Sequence, residues 1–208
     1  MKQTEPIVIT ISRDVGSGAS YVGQHLAKNL GISYVDRVIV REAALQLSVH
    51  EKDLESIDET VPSFWASFVQ NNYFFPDVYV PPKLMLPNDR ELFEVESKMI
   101  ARIAHERPAV IVGRCGFHVL REHPNHVNVF LHAHLDFRTD RFQKMYRLTR
   151  AEAEKEIAQR DKARNAYCRT FTGRDWANAR NFDLCIDTSK LVDLDKVADL
   201  ILRYIELR

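Results

Sequence analysis

Several absences bound this chain before any motif is considered. Formal net charge is zero, with 29 Lys plus Arg against 29 Asp plus Glu, which argues against a nucleic acid polymer as partner, although local basic clusters remain possible. The 3 cysteines, Cys115, Cys168 and Cys185, show no C-x-x-C spacing and cannot all pair with one another, which favours a reducing compartment. The start, MKQTEPIVITIS, lacks the apolar core of a signal peptide, and no apolar run approaches membrane-spanning length. A cytoplasmic protein without membrane contact is the expectation. G-x-S-x-G and H-E-x-x-H are missing, so hydrolase readings have no anchor. His132-x-His134 and the pair His123 and His126 lack cysteine or carboxylate support at zinc spacing, so no metal site is expected from them. Internal repeats and low-complexity tracts are also lacking.

What is present is an ordinary globular composition, 45% hydrophobic and 28% charged over 208 residues. That suits a single domain over 1–208, or one domain carrying a movable lid. Apolar β-branched runs predict strands at 7–11, 32–35, 109–112, 127–131 and 184–186. Helical spacing predicts helices at 18–30, 38–47, 90–105, 136–146 and 193–206, with 51–70 helical in part. Thr149-Arg-Ala-Glu152 is a capping box, opening a helix that runs to Arg164 or beyond. Residues 71–89 turn abruptly rich in proline and aromatics and read as an extended arm. Buried strands alternating with helices define an α/β fold with a parallel, helix-covered sheet. Ligands bind such sheets at the carboxyl ends of the strands, where Arg13, Asp36, Arg114 and Asp187 each follow a predicted strand.

One loop carries the strongest chemical signal. In "SRDVGSGASY" (12–21), Gly16 and Gly18 permit positive φ and close approach of backbone amides to an anion. The helix beginning there adds free N–H groups and its positive dipole end. Compared with G-x-x-x-x-G-K-[ST], Arg13 takes the first glycine, Gly18 the second, Ala19 the lysine and Ser20 the hydroxyl that ligates Mg²⁺ or a phosphate oxygen. The lysine is missing, and Arg13 is the expected replacement cation. "AQRDKAR" (158–164) puts Arg160 and Arg164 on one helix face, suited to charge developing during phosphoryl transfer or simply to a solvated surface. Arg114 of Gly113-Arg-Cys-Gly116 can hold a monophosphate in bidentate fashion or mark an ordinary turn. Arg138 and Arg141 fit a site or a surface helix equally. The aromatics between Phe64 and Tyr79 suit a core or a homodimer contact, with base stacking a minor alternative.

The order of these elements resembles the cytidylate kinase-like family. The matching stretches are ITISRDVGSGASYVGQHLAKNLG, YVDRVIVREAA, VIVGRCGFHVLREHPNHVNVFLHA, LTRAEAEKEIAQRDKARNAYCRTFTGRDW and NFDLCIDTSKL; residues 60–89 match least. The resemblance implies a P-loop kinase fold, three-layer α/β/α with about five parallel strands, a helical acceptor-binding region and an Arg-rich lid. It implies a phosphate loop at 12–20, an acceptor-binding and variable arm at about 36–93 and a lid at about 150–178. ATP and Mg²⁺ would be the cofactors. Gly16, Ser17, Gly18, Ala19, Ser20 and Tyr21 would hold the nucleotide, with Ser20 on the metal. Asp36, Arg37, Arg114 and Asp161 would meet the acceptor, and Arg13, Arg160 and Arg164 would act in catalysis. The implied reaction is γ-phosphoryl transfer to a nucleoside monophosphate, CMP or a related pyrimidine nucleotide. Departures at Ala19, Cys115 and Asp36-Arg37 leave open another small acceptor, or a nucleotide-binding regulatory module.

Overall fold

The computed structural model describes residues 5–36 and 89–208. The expected helix at 38–47, the partly helical 51–70, the arm up to residue 88 and Arg37 lie outside the described residues, as does the aromatic group on which the homodimer expectation rests.

Strand β1 (Val8–Arg13) has five buried residues. Its β-branched sequence suits a strand covered on both faces. β3 (Ala109–Val112) and β4 (His126–His132) flank it in parallel, β2 (Ser33–Val35) lies beyond β3, and β5 (Leu184–Asp187) lies beyond β4. The order β2-β3-β1-β4-β5, parallel throughout, puts β1 where successive connections depart to opposite sides. Ligand crevices form at the carboxyl end of such a strand.

Helices cover both faces. On one, α1 (Ala19–Leu30) contributes Val22, Leu26 and Ala27, and the C-terminal α6 (Leu194–Glu206) contributes Val197, Ala198 and Ile201, against Ile9, Ile11, Val110 and Val129. On the other, α2 (Asp89–Glu106) packs Met99, Ile100, Ile103 and Ala104 over Val8, Val35 and Ile111. These apolar stripes recur at helical spacing, which is why the sequence predicts them. Leu26 is fully buried, so Leu26→Ala would cost about 2–5 kcal/mol. The short α3 (Gly116–Val119) follows β3. Two helices that pack on each other, α4 (Leu135–Tyr146) and α5 (Arg150–Thr172), follow β4 and precede β5 in the chain.

The capping box is formed: Thr149 and Glu152 satisfy each other's backbone amides. α5 runs on to Thr172 and stops at Gly173, in the left-handed conformation. Tyr167–Thr172 are thus part of the helix, where Phe171 and Tyr167 pack on Phe93, a contact that outweighs the modest helix propensity of the threonines. Arg13 is the last residue of β1 rather than lying beyond it.

Candidate active site

The loop between β1 and α1 turns at two glycines directly at the head of the helix. Gly16 and Gly18 have φ of 82° and 91°, the left-handed region that favours glycine. A Cβ at Gly16 would stand 3.0 Å from Arg138 Cβ and O, leaving little room for a side chain, whereas one at Gly18 would stand 2.6 Å from the movable Leu194 Cδ1. Ser17 is fully buried and its hydroxyl donates to Asp14 O at 2.9 Å. Thr188 Oγ1 lies 2.9 Å from Ser17 O and 3.2 Å from His132 O, tying the loop to the end of β4. Helix α1 begins at Gly18 with no side-chain cap and no acidic residue in its first turn. Its leading amides and positive dipole end are thus presented to an external anion. Ala19 is 3% exposed and part of the apolar core between the sheet and α6. The usual lysine position serves packing here. Ser20 and Tyr21 complete the first turn, with Tyr21 half-exposed and donating to Asp195 Oδ1 at 2.8 Å.

Helix α5 is docked directly on this loop. Val15 packs with Phe142, Ala153 and Ile157. Asp161 Oδ1 accepts the Val15 amide at 2.9 Å, and Asp161 Oδ2 pairs with Arg138 Nη1 at 2.5 Å. Arg138 Nη1 also lies 3.3 Å from Val15 O, and its buried Nε has no hydrogen-bond partner among the described residues. Arg164 Nη1 donates to Arg13 O at 3.1 Å. Arg160, one turn earlier, lies over the Phe142 and Tyr146 rings and pairs with Glu156 at 3.2 Å. Asp14 feels both its burial and the nearby Asp161 charge, which raise its carboxyl above the usual range against the opposing pull of Arg138. Asp161, Arg164 and the loop are therefore brought together, while Arg160 rests on the aromatic flank.

The neighbouring loop after β3 is backbone-strained. Gly113, Arg114 and Cys115 have successive φ of 92°, 51° and 52°, and left-handed φ costs a non-glycine residue about 1–2 kcal/mol. Gly113 is where Arg13 crosses from β1: a Cβ there would collide with Arg13 Nη1. Arg114 is 10% exposed and its Nη1 contacts Glu96, itself 1% exposed, at 3.1 Å and Tyr167 Oη at 3.3 Å. Tyr167 also donates to Glu96 at 3.2 Å. A buried carboxylate facing a buried guanidinium is tolerable because each supplies the other's counter-charge. Burial, then Glu96, pushes the Tyr167 hydroxyl up, keeping it a neutral donor. Cys115 and Cys168 lie in the same buried cluster, and their mutual interaction lowers the Cys168 thiol while raising that of Cys115. Asp36 stands half-buried just past β2.

Glu96, Tyr167 and Thr188 escape a motif reading. Glu96 has a legible signal: it falls three residues after Phe93 and four before Ile100, a charge on the apolar stripe of α2. Tyr167 and Thr188 have none, because their partners are distant in sequence. Arg138 is legible only as one of two arginines on a helix, and the structure selects it over Arg141 by its contact with the loop.

A five-stranded parallel sheet covered on both faces, with a glycine loop opening onto an uncapped helix, defines a P-loop kinase fold. Solved structures agree: an uncharacterized protein from Eubacterium ventriosum superposes with a TM-score of 0.73 at 24% identity, covering 97% of this chain and 99% of that one. A shikimate kinase from Bacteroides thetaiotaomicron gives 0.52 at 15%, covering 97% of each. Residues 8–190 match the cytidylate kinase-like family, and the chain belongs to that family and is a phosphotransferase. It is 26% identical over 200 residues to the cytidylate kinase of Sulfurisphaera tokodaii, 96% of this chain and 95% of that protein.

Proposed function

We propose that the chain transfers the γ-phosphoryl group of ATP to a nucleoside monophosphate, with CMP or a related pyrimidine nucleotide as acceptor. The observation that carries the reading is the uncapped head of α1 below the Gly16–Gly18 loop, with Asp161, Arg138 and Arg164 gathered on the same loop. The name of the Sulfurisphaera tokodaii relative supports cytidine in particular. The amides of 16–21 hold the donor phosphates, and Ser20 offers its hydroxyl to Mg²⁺, which when bound neutralises phosphate charge. Arg13, the replacement for the absent lysine expected from the sequence, reaches across to Gly113 between the β1 and β3 loops, so on this reading it shares that role with Arg138, which stands against the glycine loop. Arg160 and Arg164 add positive charge along α5, Asp36, Arg37 and Arg114 orient the acceptor, and Asp161, whose carboxylate is taken up by Val15 and Arg138, serves the acceptor only by fixing that loop. α5 and the turns to residue 178 act as the lid. Rate enhancement on this reading comes from positioning and from fixed charge, without a covalent intermediate.

The test is ADP formation from Mg-ATP against a panel of nucleoside monophosphates and non-nucleotide hydroxy acids. Selective turnover with a pyrimidine monophosphate is expected. Turnover confined to a non-nucleotide acceptor would replace the acceptor assignment. ATP binding without turnover on any of them would make the chain a nucleotide-binding module.

A further inference from the structure

At the amino ends of the strands, opposite the phosphate loop, three side chains from separate segments converge. Glu5 precedes β1, His105 lies in the last turn of α2, and His123 lies in the turn between α3 and β4. One ligand atom from each lies within 4.8 Å of both others. Glu5 Oε2 is 3.3 Å from His105 Nδ1 and 4.0 Å from His123 Nε2. We propose that Glu5, His105 and His123 bind a divalent transition-metal ion, zinc foremost, with water as the fourth ligand.

Two features separate this group from an ordinary surface cluster. The His123 side chain is 2% exposed, yet its Nε2 has no hydrogen-bond partner among the described residues. A buried polar atom left in that state is costly, and a metal ion beside Glu5 would satisfy it. The spacing also fits. Ligand atoms about 2.0–2.1 Å from a tetrahedral ion stand about 3.3–3.4 Å apart, so Glu5 and His105 are already at separation and His123 needs a small inward shift. Glu5 is fixed at its backbone by Asn125 Nδ2, which donates to Glu5 O at 3.1 Å. His105 is 64% exposed, leaving the outer side open to water.

Two imidazoles and one carboxylate suit zinc better than magnesium or calcium, which prefer all-oxygen shells. Coordination through Nε2 leaves the His123 ring proton on Nδ1, so the long 3.3 Å contact from the Asn125 amide to that nitrogen is given up. The length of β1 puts the ion roughly 20 Å from the phosphate loop. Its role is then to fasten the segment before β1 to α2 and to the α3–β4 turn, apart from phosphoryl transfer.

The test uses the full chain, stripped with a chelator and titrated with zinc chloride by calorimetry, with cobalt(II) absorption as a second readout. One ion per chain is expected, with the visible bands of tetrahedral cobalt. Affinity should fall about tenfold or more in His105→Ala and Glu5→Gln, two partly exposed positions that leave the core intact. Zinc should raise the melting temperature of the wild type more than that of either variant. Failure of the wild type to bind zinc would overturn the proposal. So would unchanged affinity in both variants, since the ion would then sit elsewhere.

Discussion

Asp161, in the middle of α5, accepts the Val15 amide at 2.9 Å and holds Arg138 at 2.5 Å. One carboxylate thereby fastens a long basic helix to the phosphate loop and fixes an arginine that touches that loop. Asp161→Ala should leave the largely buried Arg138 without its counter-charge. A loss of about 1–3 kcal/mol is expected, read as a lower urea midpoint at unchanged slope.

Arg138 and Arg13 should differ in what they damage. Arg138 touches Val15, whereas Arg13 reaches across to Gly113. Arg138→Met is expected to lower kcat about 100-fold, the scale of losing one fixed transition-state charge, with the acceptor KM little changed. Arg13→Met should raise the acceptor KM as well. Steady-state kinetics with each substrate varied in turn separates the two.

Gly18 and Gly31 form an internal comparison. Both have positive φ, 91° and 65°, but only at Gly18 would a Cβ meet a neighbour, Leu194 Cδ1 at 2.6 Å. Gly31→Ala should cost about 1 kcal/mol and leave ATP affinity unchanged. Gly18→Ala should cost about 1–3 kcal/mol, lower the melting temperature by about 3–8 °C, and weaken ATP binding in calorimetry because a φ of 91° strains an alanine at the head of α1.

Acid should weaken the fold through His126. Burial pushes its imidazole down from 6.5 to about 4, and its Nε2 sits 2.7 Å from Thr10 Oγ1 in the core of the sheet. The folded state holds neutral histidine, so the unfolded chain takes up the proton first. Stability is full above pH 6.5 and falls as pH drops from 6.5 to about 4, by about 3 kcal/mol in all. His126→Gln should flatten that part of the profile in urea unfolding measured across pH.

The described parts of the fold follow closely from local patterns. Val8–Ile11 is a β-branched run interrupted only by the buried Thr10, Ala109–Val112 is continuously apolar, and α1 and α6 show apolar stripes, so period and composition agree with burial. The phosphate loop is legible because glycine spacing at a strand–helix junction has a mechanical cause. The rest depends on contacts between distant residues. Nothing near Arg114 in sequence announces Glu96 or Tyr167, and nothing near Val15 announces Asp161. Ala19 is legible as a missing lysine, yet only packing against α6 and the sheet explains why a small apolar residue stands there.

The most direct measurement is a single-turnover experiment with γ-labelled ATP, Mg²⁺ and CMP in the presence of excess enzyme. Label is expected to move from ATP to CDP, and Arg164→Ala, which loses the contact to Arg13 O, should slow that transfer at least tenfold while ATP still binds. Label that stays on bound ATP with CMP and with every other nucleoside monophosphate would contradict the proposed reaction.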